Sequence, residues 1–248
     1  MAINIRSEEQ IELMRKAGKV VSEAFQLLES EIRPGIGTNM LNEAAERFIK
    51  SSGAIPSFFG YRGFPSSICI SVNEQVIHGI PGLRKLRNGD IVSIDIGVYL
   101  NGFHADAART FAVGDISDED KRLIEVTKQS FFEGIKFAKA NNHLSDVSSS
   151  IQQYVESNGF SVVRDYVGHG IGRNLHEDPA IPNYETKSRG PKLMRGMVLA
   201  IEPMVNAGTY EISVLDDKWT VITGDGKKSA HYENTVVITD DEPELLTL

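Results

Sequence analysis

Cysteine is almost absent from this chain, which has only Cys69 in 248 residues. A single cysteine excludes an intramolecular disulfide and a metal site built from several thiolates. It is typical of a protein that works in a reducing compartment, and we therefore expect a cytoplasmic protein.

Long apolar runs are also missing from the sequence. No segment has the roughly 18 consecutive apolar residues that a membrane-spanning helix requires. Near the N-terminus, Arg6, Glu8 and Glu9 alternate with apolar positions, which is typical of an amphipathic helix and not of a signal peptide. We expect no membrane partner.

Positive charge is in deficit, with 26 Lys and Arg residues against 34 Asp and Glu residues and a formal net charge of −8. Phosphate contacts require clustered Lys and Arg, so this balance excludes a DNA-binding protein that depends on diffuse positive charge. Local docking to RNA stays open.

An internal repeat carries histidines and carboxylates. In each copy an acid stands six residues after a glycine, at the end of an apolar run, and a second acid stands two residues after a histidine. The matched residues are His78 with His169, Asp95 with Glu202, and Asp106 with Glu233. A duplicated unit would bring both acid pairs to one pseudo-two-fold axis. Four anions there repel one another unless cations neutralise them, so the repeat predicts two divalent metal ions.

The helix and strand signals predict an α+β fold. Two helical segments precede strand-like segments, twice over, which favours a curved antiparallel sheet with two helix pairs on its outer face. The predicted helix starts are Ser7, with Gln10 as its capping-box partner, Thr38, Ser117 and about Ser145. No linker separates the halves. We therefore expect one catalytic domain over residues 1–248, with halves at about 1–113 and 114–248. A monomer is our working expectation for the assembly, which the sequence does not determine.

The turn signal Asn101-Gly102 fixes the register of the first strand pair. That register places Asp95 opposite Ala108, and Asp106 diagonal to Asp95 on the same face. Diagonal neighbours in a sheet lie roughly 7–8 Å apart at the backbone. This spacing suits carboxylates that converge on two metal ions about 3.5–4 Å apart.

The histidines differ in how well they suit a metal site. His169 has a glycine on each side, which gives its ring room to reach an open site, and it ranks first as a ligand. His78, its repeat mate, is a ligand or an acid–base group. His104 and His231 are either ligands or neighbours of ligands. We expect His176 to lie in the cleft and His143 to lie at the surface.

Several other catalytic patterns are missing. The chain has no G-x-S-x-G or H-E-x-x-H motif, and its glycine-rich segments lack the residues that complete a dinucleotide loop or a P-loop. Metal-assisted hydrolysis remains as the interpretation of the acids and histidines.

Together these motifs resemble type I methionine aminopeptidases, members of the pita-bread metallopeptidase family. The matching segments are H-G-I-P at His78, D-I-G at Asp95, N-G-F-H-A-D ending at Asp106, G-H-G-I-G around His169, I-E-P at Glu202 and the strand at Glu233. The resemblance covers essentially the full chain. It implies the pita-bread fold and removal of the N-terminal methionine from nascent proteins when the second residue is small. Nascent polypeptide N-termini are then the partners, with the ribosome as a candidate.

The resemblance also implies roles for individual residues. Two divalent ions, Co, Mn, Fe or Zn, would be held by Asp95, Asp106, His169, Glu202 and Glu233. His78 and His176 would act on the substrate, and Glu202 would accept a proton from the attacking water. The wall of the methionine side-chain pocket is implied at Phe58, Tyr61, Phe64, Cys69 and Trp219.

Two rival functions share the implied fold. A peptide-binding module would have no need for clustered buried acids, and the presence of all five ligand positions speaks against it. An X-Pro peptidase would use a similar metal centre, and the comparison of Met-Ala with Ala-Pro peptides separates the two activities.

Overall fold

The computed structural model describes residues 3–248. Its helices are α1 (Glu8–Glu31), α2 (Thr38–Ser51), α3 (Asp118–Ile135) and α4 (Leu144–Ser157), with a 3-10 turn at Tyr61–Gly63. The capping box predicted at the start of α1 is confirmed, since Gln10 N donates to Ser7 Oγ at 3.4 Å and Ser7 N donates to Gln10 Oε1 at 3.2 Å. Within the described range, no helix combines the length and the apolar character needed to cross a membrane.

The prediction that Thr38 caps the second helix is wrong. Gly37 occupies the N-cap position of α2, and Thr38 is the first helical residue. The Thr38 hydroxyl accepts from Gly82 N at 2.9 Å and donates to Gly82 O at 3.1 Å. This side chain therefore fastens a loop to the helix instead of satisfying the helix's own N–H groups.

Most strands are short, and one long hairpin dominates the sheet. The strands are β1 (Ile55–Pro56), β2 (Cys69–Val72), β3 (Gln75–Ile77), β4 (Ile91–Leu100), β5 (Phe103–Ala112), β6 (Ser161–Val162), β7 (Gly168–Gly170), β8 (Glu177–Ile181), β9 (Val198–Ile201), β10 (Met204–Asn206), β11 (Ile212–Val214), β12 (Val221–Thr223), β13 (Ser229–His231), β14 (Asn234–Val237) and β15 (Glu244–Leu245). Among the described residues these strands pair antiparallel in four sheets, ordered β1-β4-β2 with β5 on β4, β13-β10-β6, β11-β12-β3 and β15-β14-β9-β7-β8.

Side-chain alternation separates the core from the inner face of the sheet. Ile94 and Ile96 of β4 pack with apolar residues of α1 and α2. Asp95 lies between them and points the other way, because successive strand residues face opposite sides. Leu199 and Ile201 of β9 pack in the same manner with α3 and α4. The two helix pairs thus cover the outer face, as predicted, and the inner face carries the acids.

A seam between β5 and residues 231–235 joins the two halves. Asp106 N donates to Thr235 Oγ1 at 2.9 Å, and Thr235 Oγ1 donates to Asp106 O at 2.8 Å. Thr110 Oγ1 makes the corresponding pair of bonds with the backbone N and O of His231, each 2.9 Å long. The seam therefore brings the acids of both halves to one place. The division of the chain at 113 and 114 stays a prediction.

Candidate metal centre

The acids of the first half lie on the inner face of the β4–β5 hairpin. Asp95 lies opposite Ala108, and Asp106 lies opposite Gly97, which is the register predicted from the two-residue turn. The two acids are diagonal neighbours, as predicted. A Cβ on Gly97 would lie 2.7 Å from a ring carbon of Phe58, so only glycine lets this ring approach the floor of the site.

The acids of the second half stand just outside β9 and β14. The pairing of these strands continues beyond their ends, because Tyr232 N donates to Pro203 O at 3.2 Å. Glu202 and Glu233 therefore face each other directly. The repeat is inexact, since the matching acids are diagonal in one half and opposite in the other.

The local backbone prepares His169 to act as a ligand. Its Nδ1 donates to Gly170 O at 2.9 Å, which leaves the lone pair on Nε2. Nε2 lies 3.7 Å from Glu202 Oε1. Burial lowers the pKa of His169 to about 3, so the ring is neutral at pH 7. A neutral imidazole oriented by a backbone carbonyl is the form that binds metals.

Burial raises the pKa values of all four acids. The pKa of Asp95 rises to about 7, and the pKa values of Asp106, Glu202 and Glu233 rise well above their ordinary range. For those three acids, the negative charges of neighbouring carboxylates raise the pKa further. Within residues 3–248, Asp95 Oδ1, Asp106 Oδ1 and Glu233 Oε1 are buried without a hydrogen-bond partner. Buried polar atoms normally have partners, so these oxygens fit the ligands of a cation.

The donor atoms fit divalent metal ions. Ligand atoms of Asp106, His169 and Glu233 lie within 4.8 Å of one another, and so do those of Glu202, His231 and Glu233. Glu233 therefore belongs to both groups. Mixed carboxylate and imidazole donors suit Mn, Fe, Co and Zn. The site is thus suited to binding divalent metal.

His231 and His104, whose roles the sequence left undecided, differ in their distance from the acids. The ring of His231 is buried, and its Nε2 lies 3.8 Å from Glu202 Oε2 with no hydrogen-bond partner among the described residues. His104 Nδ1 instead lies 2.9 Å from Ser57 Oγ, and its ring packs on Tyr99 with a centroid distance of 4.6 Å. Of the two, His231 is the one beside the acids.

His78 lies on the cavity wall and belongs to neither of the ligand groups found in residues 3–248. Its ring packs edge-on against Tyr166 and Trp219, with centroid distances of 5.5 and 6.3 Å. Burial lowers its pKa to about 4, so the ring is neutral at pH 7. The geometry favours a neutral group facing the cavity over a metal ligand.

His176 stands next to His169 at the mouth of the cavity, with ring centroids 4.2 Å apart. Its Nδ1 lies 2.9 Å from the Tyr61 hydroxyl, and the two rings stack at 5.2 Å. Burial lowers the pKa of His176 to about 4, and the positive charge of Arg62 lowers it further. The ring is therefore neutral and held in one orientation.

The cavity above the acids has a volume of about 650 Å³, including its open mouth. Its wall contains all the residues implied for the methionine pocket: Phe58, Tyr61, Phe64, Cys69 and Trp219. Phe64 and Trp219 meet edge to face at 5.2 Å. Burial raises the pKa of the Cys69 thiol, so this group stays protonated and weakly polar. The result is an aromatic slot that ends on carboxylates.

Sequence reasoning missed three residues that shape this site. Arg62 lines the mouth and adopts a left-handed backbone with φ 49°. Thr110 and Thr235 form the seam, and they follow Asp106 and Glu233 by four and two residues. Their nearness to the acids is the signal that would have identified them.

Removal of metal is expected to make stability fall with rising pH. A carboxyl whose pKa is raised by folding binds more protons when folded, so stability decreases as pH rises towards the folded pKa. The buried histidines make stability rise with pH instead, but only below about pH 6.5, where they become protonated in the unfolded chain. Between pH 6.5 and 8.5 we expect the melting temperature of EDTA-treated protein to fall by roughly 5 °C or more.

The matched measurement uses the same protein with Mn²⁺ restored. Cations neutralise the carboxylates, so the metal-loaded sample should lose much less stability over the same pH range. If the melting temperature fell equally with rising pH in the presence and absence of Mn²⁺, the assignment of these acids as a cation site would be contradicted.

Comparisons with known proteins agree with this geometry. The family model described as metallopeptidase family M24 matches residues 12–240. A methionine aminopeptidase of Clostridium perfringens is 63% identical over 246 residues, which make up 99% of each protein. Methionine aminopeptidase 1 of Bacillus subtilis is 55% identical over 242 residues, 98% of each protein. The crystal structure of methionine aminopeptidase from Rickettsia prowazekii matches with a TM-score of 0.98 and 43% identity over the whole of both chains.

These matches confirm the resemblance and the pita-bread fold inferred from the sequence. They extend over essentially the whole chain and over the whole of the relatives. The chain therefore belongs to metallopeptidase family M24.

Proposed function

We propose that the protein is a methionine aminopeptidase that removes the N-terminal methionine from nascent polypeptides when the second residue is small. The observation that carries this proposal is an aromatic slot, lined by Phe64 and Trp219, that ends on four clustered acids. Relatives named methionine aminopeptidase at 63% and 55% identity support it.

The proposed centre holds two divalent ions between the halves of the chain. The proposed ligands are Asp106, His169, Glu202 and Glu233, which belong to the two donor groups. Asp95, which lines the same cavity, is proposed as the fifth ligand. Bound metal would polarise the scissile carbonyl and lower the pKa of water, which makes water a nucleophile at neutral pH. Co, Mn, Fe and Zn all suit these donors.

Glu202 is proposed as the proton acceptor of the reaction. Its two carboxylate oxygens lie 3.7 Å from His169 Nε2 and 3.8 Å from His231 Nε2, so the side chain is held between two rings. From this position Glu202 takes a proton from the attacking water and returns it to the leaving amine. His231 lies on the far side of Glu202 and helps to orient it.

His176 and His78 are proposed to act on the substrate as neutral donors. When the Tyr61 hydroxyl donates to His176 Nδ1, the ring proton lies on Nε2, which can donate to the scissile carbonyl oxygen. His78 lines the same cavity, and we assign it to the leaving nitrogen.

The slot selects the first residue of the substrate. An unbranched thioether gains from contact with aromatic rings, which here come from Tyr61, Phe64 and Trp219. The free amino terminus of the substrate would meet the carboxylates and metals at the floor. This arrangement restricts cleavage to the first peptide bond. We place the reaction in the cytoplasm, with the ribosome as a candidate partner and a monomer as the working form.

Peptides that differ only at the first two positions test the pocket. Apolar fit contributes about 1–3 kcal/mol per methylene, so norleucine should be cleaved nearly as well as methionine. Leucine should be cleaved poorly because its branch meets the slot wall. Lys-Ala serves as the uncleaved control, and Met-Ala, Met-Val and Met-Leu report the second position. Equal rates for Met-Ala and Leu-Ala, or for Met-Ala and Met-Leu, would refute the pocket assignment.

His78→Ala and His176→Ala are expected to keep their metal and lose turnover. Both residues are assigned to the substrate and not to the metals, so metal content should match the wild type. The loss of one donor or acid–base group usually lowers kcat by roughly 10²–10⁴-fold. Metal analysis and kinetics together distinguish the two roles, with His143→Ala, at the N-cap of α4, as the control. Loss of metal from His78→Ala would restore the alternative in which it is a ligand.

A further inference from the structure

A buried ion pair ties the N-terminal segment to the loop that carries His176. The Arg6 guanidinium contacts Glu177 Oε2, and the two side chains are only 7% and 6% exposed. Asn4 Nδ2 donates to the same oxygen at 2.7 Å, and Asn174 N donates to Oε1 at 3.1 Å. One carboxylate thus joins the N-terminal segment, the loop and the start of β8.

The surroundings of Arg6 leave it little freedom. Its backbone N donates to Gly196 O at 2.8 Å. A Cβ on Gly172 would lie 2.0 Å from Arg6 Nη2, so the guanidinium fills the space that a side chain would need. The guanidinium also lies over the ring of Phe103, 5.8 Å from its centroid. Both the backbone and the head group of Arg6 are therefore fixed.

The loop between β7 and β8 is also held by the buried side chains of Ile171 and Leu175. Its backbone bonds include His104 N to Gly172 O at 2.8 Å and Gly172 N to Asn174 O at 3.1 Å. Glu177 is the first residue of β8, and His176 directly precedes it. His176 lines the cavity, whereas Glu177 does not line it and contacts Arg6 instead. Because the two residues share a peptide bond, fixing the position of Glu177 restricts the backbone of His176.

We propose that Arg6 and Glu177 are positioning residues that hold His176 in its working orientation. This proposal rests on the proposed role of His176 in substrate turnover. Neither side chain lines the cavity, so both act through the loop and not by contact with substrate. The ion pair fixes the loop, and the Tyr61 hydroxyl fixes the ring.

Three variants test the proposal: Arg6→Met, the double variant Arg6→Met with Glu177→Gln, and the control Arg15→Met. Arg15 also bonds a distant carboxylate, that of Glu244, at 2.5 and 2.9 Å, but this pair is about one third exposed and leads to the C-terminal segment. The double variant removes the unpaired buried charge that Arg6→Met alone would leave, so it should recover most of the stability. Each variant is purified with Mn²⁺ and compared by kcat, KM, metal content, melting temperature and amide exchange of residues 171–177.

We expect kcat on Met-Ala peptides to fall roughly 10–100-fold in both Arg6→Met and the double variant, because small misplacement of a reacting group is costly. KM and metal content should stay within about twofold of the wild type. Amide exchange in residues 171–177 should accelerate, with Asn174 N–H changing most. Arg15→Met should lower the melting temperature but leave kcat and the amide exchange of residues 171–177 unchanged.

The double variant decides between positioning and simple stabilisation. If its melting temperature and its kcat both return to wild-type values, the ion pair serves stability only and the proposal fails. Unchanged exchange of residues 171–177 in Arg6→Met also overturns it, and that measurement needs no activity. A wild-type protein that cleaves no Met-Ala peptide would instead refute the proposed function, while the exchange data would still show whether the pair holds the loop.

Discussion

Asp106→Asn is expected to abolish measurable turnover and to lower the bound metal below the wild-type amount. The side chain of Asp106 is buried, and its Oδ1 has no hydrogen-bond partner among the described residues. An amide oxygen carries no full charge and is a weaker ligand for divalent ions. The backbone should stay in place, because Thr235 Oγ1 bonds both Asp106 N and Asp106 O.

The same variant should be at least as stable as the wild type when metal is removed. Asn at this position relieves the repulsion among buried carboxylates that raises their pKa values. Elemental analysis and melting curves in EDTA test both halves of this prediction. Asp118→Asn, at a fully exposed position on α3, is the matched control and should change neither quantity. An Asp106→Asn protein with full metal content and normal kcat would remove Asp106 from the centre.

The acids of the first half could be located from the sequence because their positions follow from local rules. A two-residue turn fixes the register of the β4–β5 hairpin, and strand alternation then puts Asp95 and Asp106 on one face. The second half has no such turn between β9 and β14. The repeat predicts which acids of the second half correspond to Asp95 and Asp106, but it does not predict their directly opposed pairing.

The histidines show where repeat matching stops being a guide. It paired His78 with His169, yet His78 has a left-handed backbone with φ 57° and packs against Trp219. His231, left undecided by the sequence, lies beside Glu202 instead. Its position follows from the seam with Thr110, a contact between residues 121 positions apart in the chain. No local pattern predicts such a contact.

Thr38 and Arg6 show the same limit at the level of single side chains. Both stand near helix starts, where a local reading assigns them capping or surface roles. In the folded chain Thr38 bonds the distant Gly82, and Arg6 bonds the distant Glu177. Polar side chains near helix ends have several possible partners, and packing decides among them.

Glu202→Gln is expected to lower kcat by roughly 10³-fold or more while the protein stays folded, because the variant removes both the proposed base and one charged ligand. Glutamine keeps the shape of the side chain and one carbonyl oxygen, so the contacts with His169 and His231 are disturbed as little as possible. Glu211→Gln, on an exposed loop, is the control and should retain wild-type kinetics.

Metal content separates the two roles assigned to Glu202. If Glu202→Gln keeps its full metal content and loses turnover, the loss is chemical and the role as proton acceptor is supported. If one equivalent of metal is lost together with activity, ligation is its main contribution, and restored turnover at high Mn²⁺ concentration should follow. Full activity with full metal content would rule out the base role. Proton transfer would then have to be assigned to another group on the inner face, such as His231, whose Nε2 lies 3.8 Å from Glu202 Oε2.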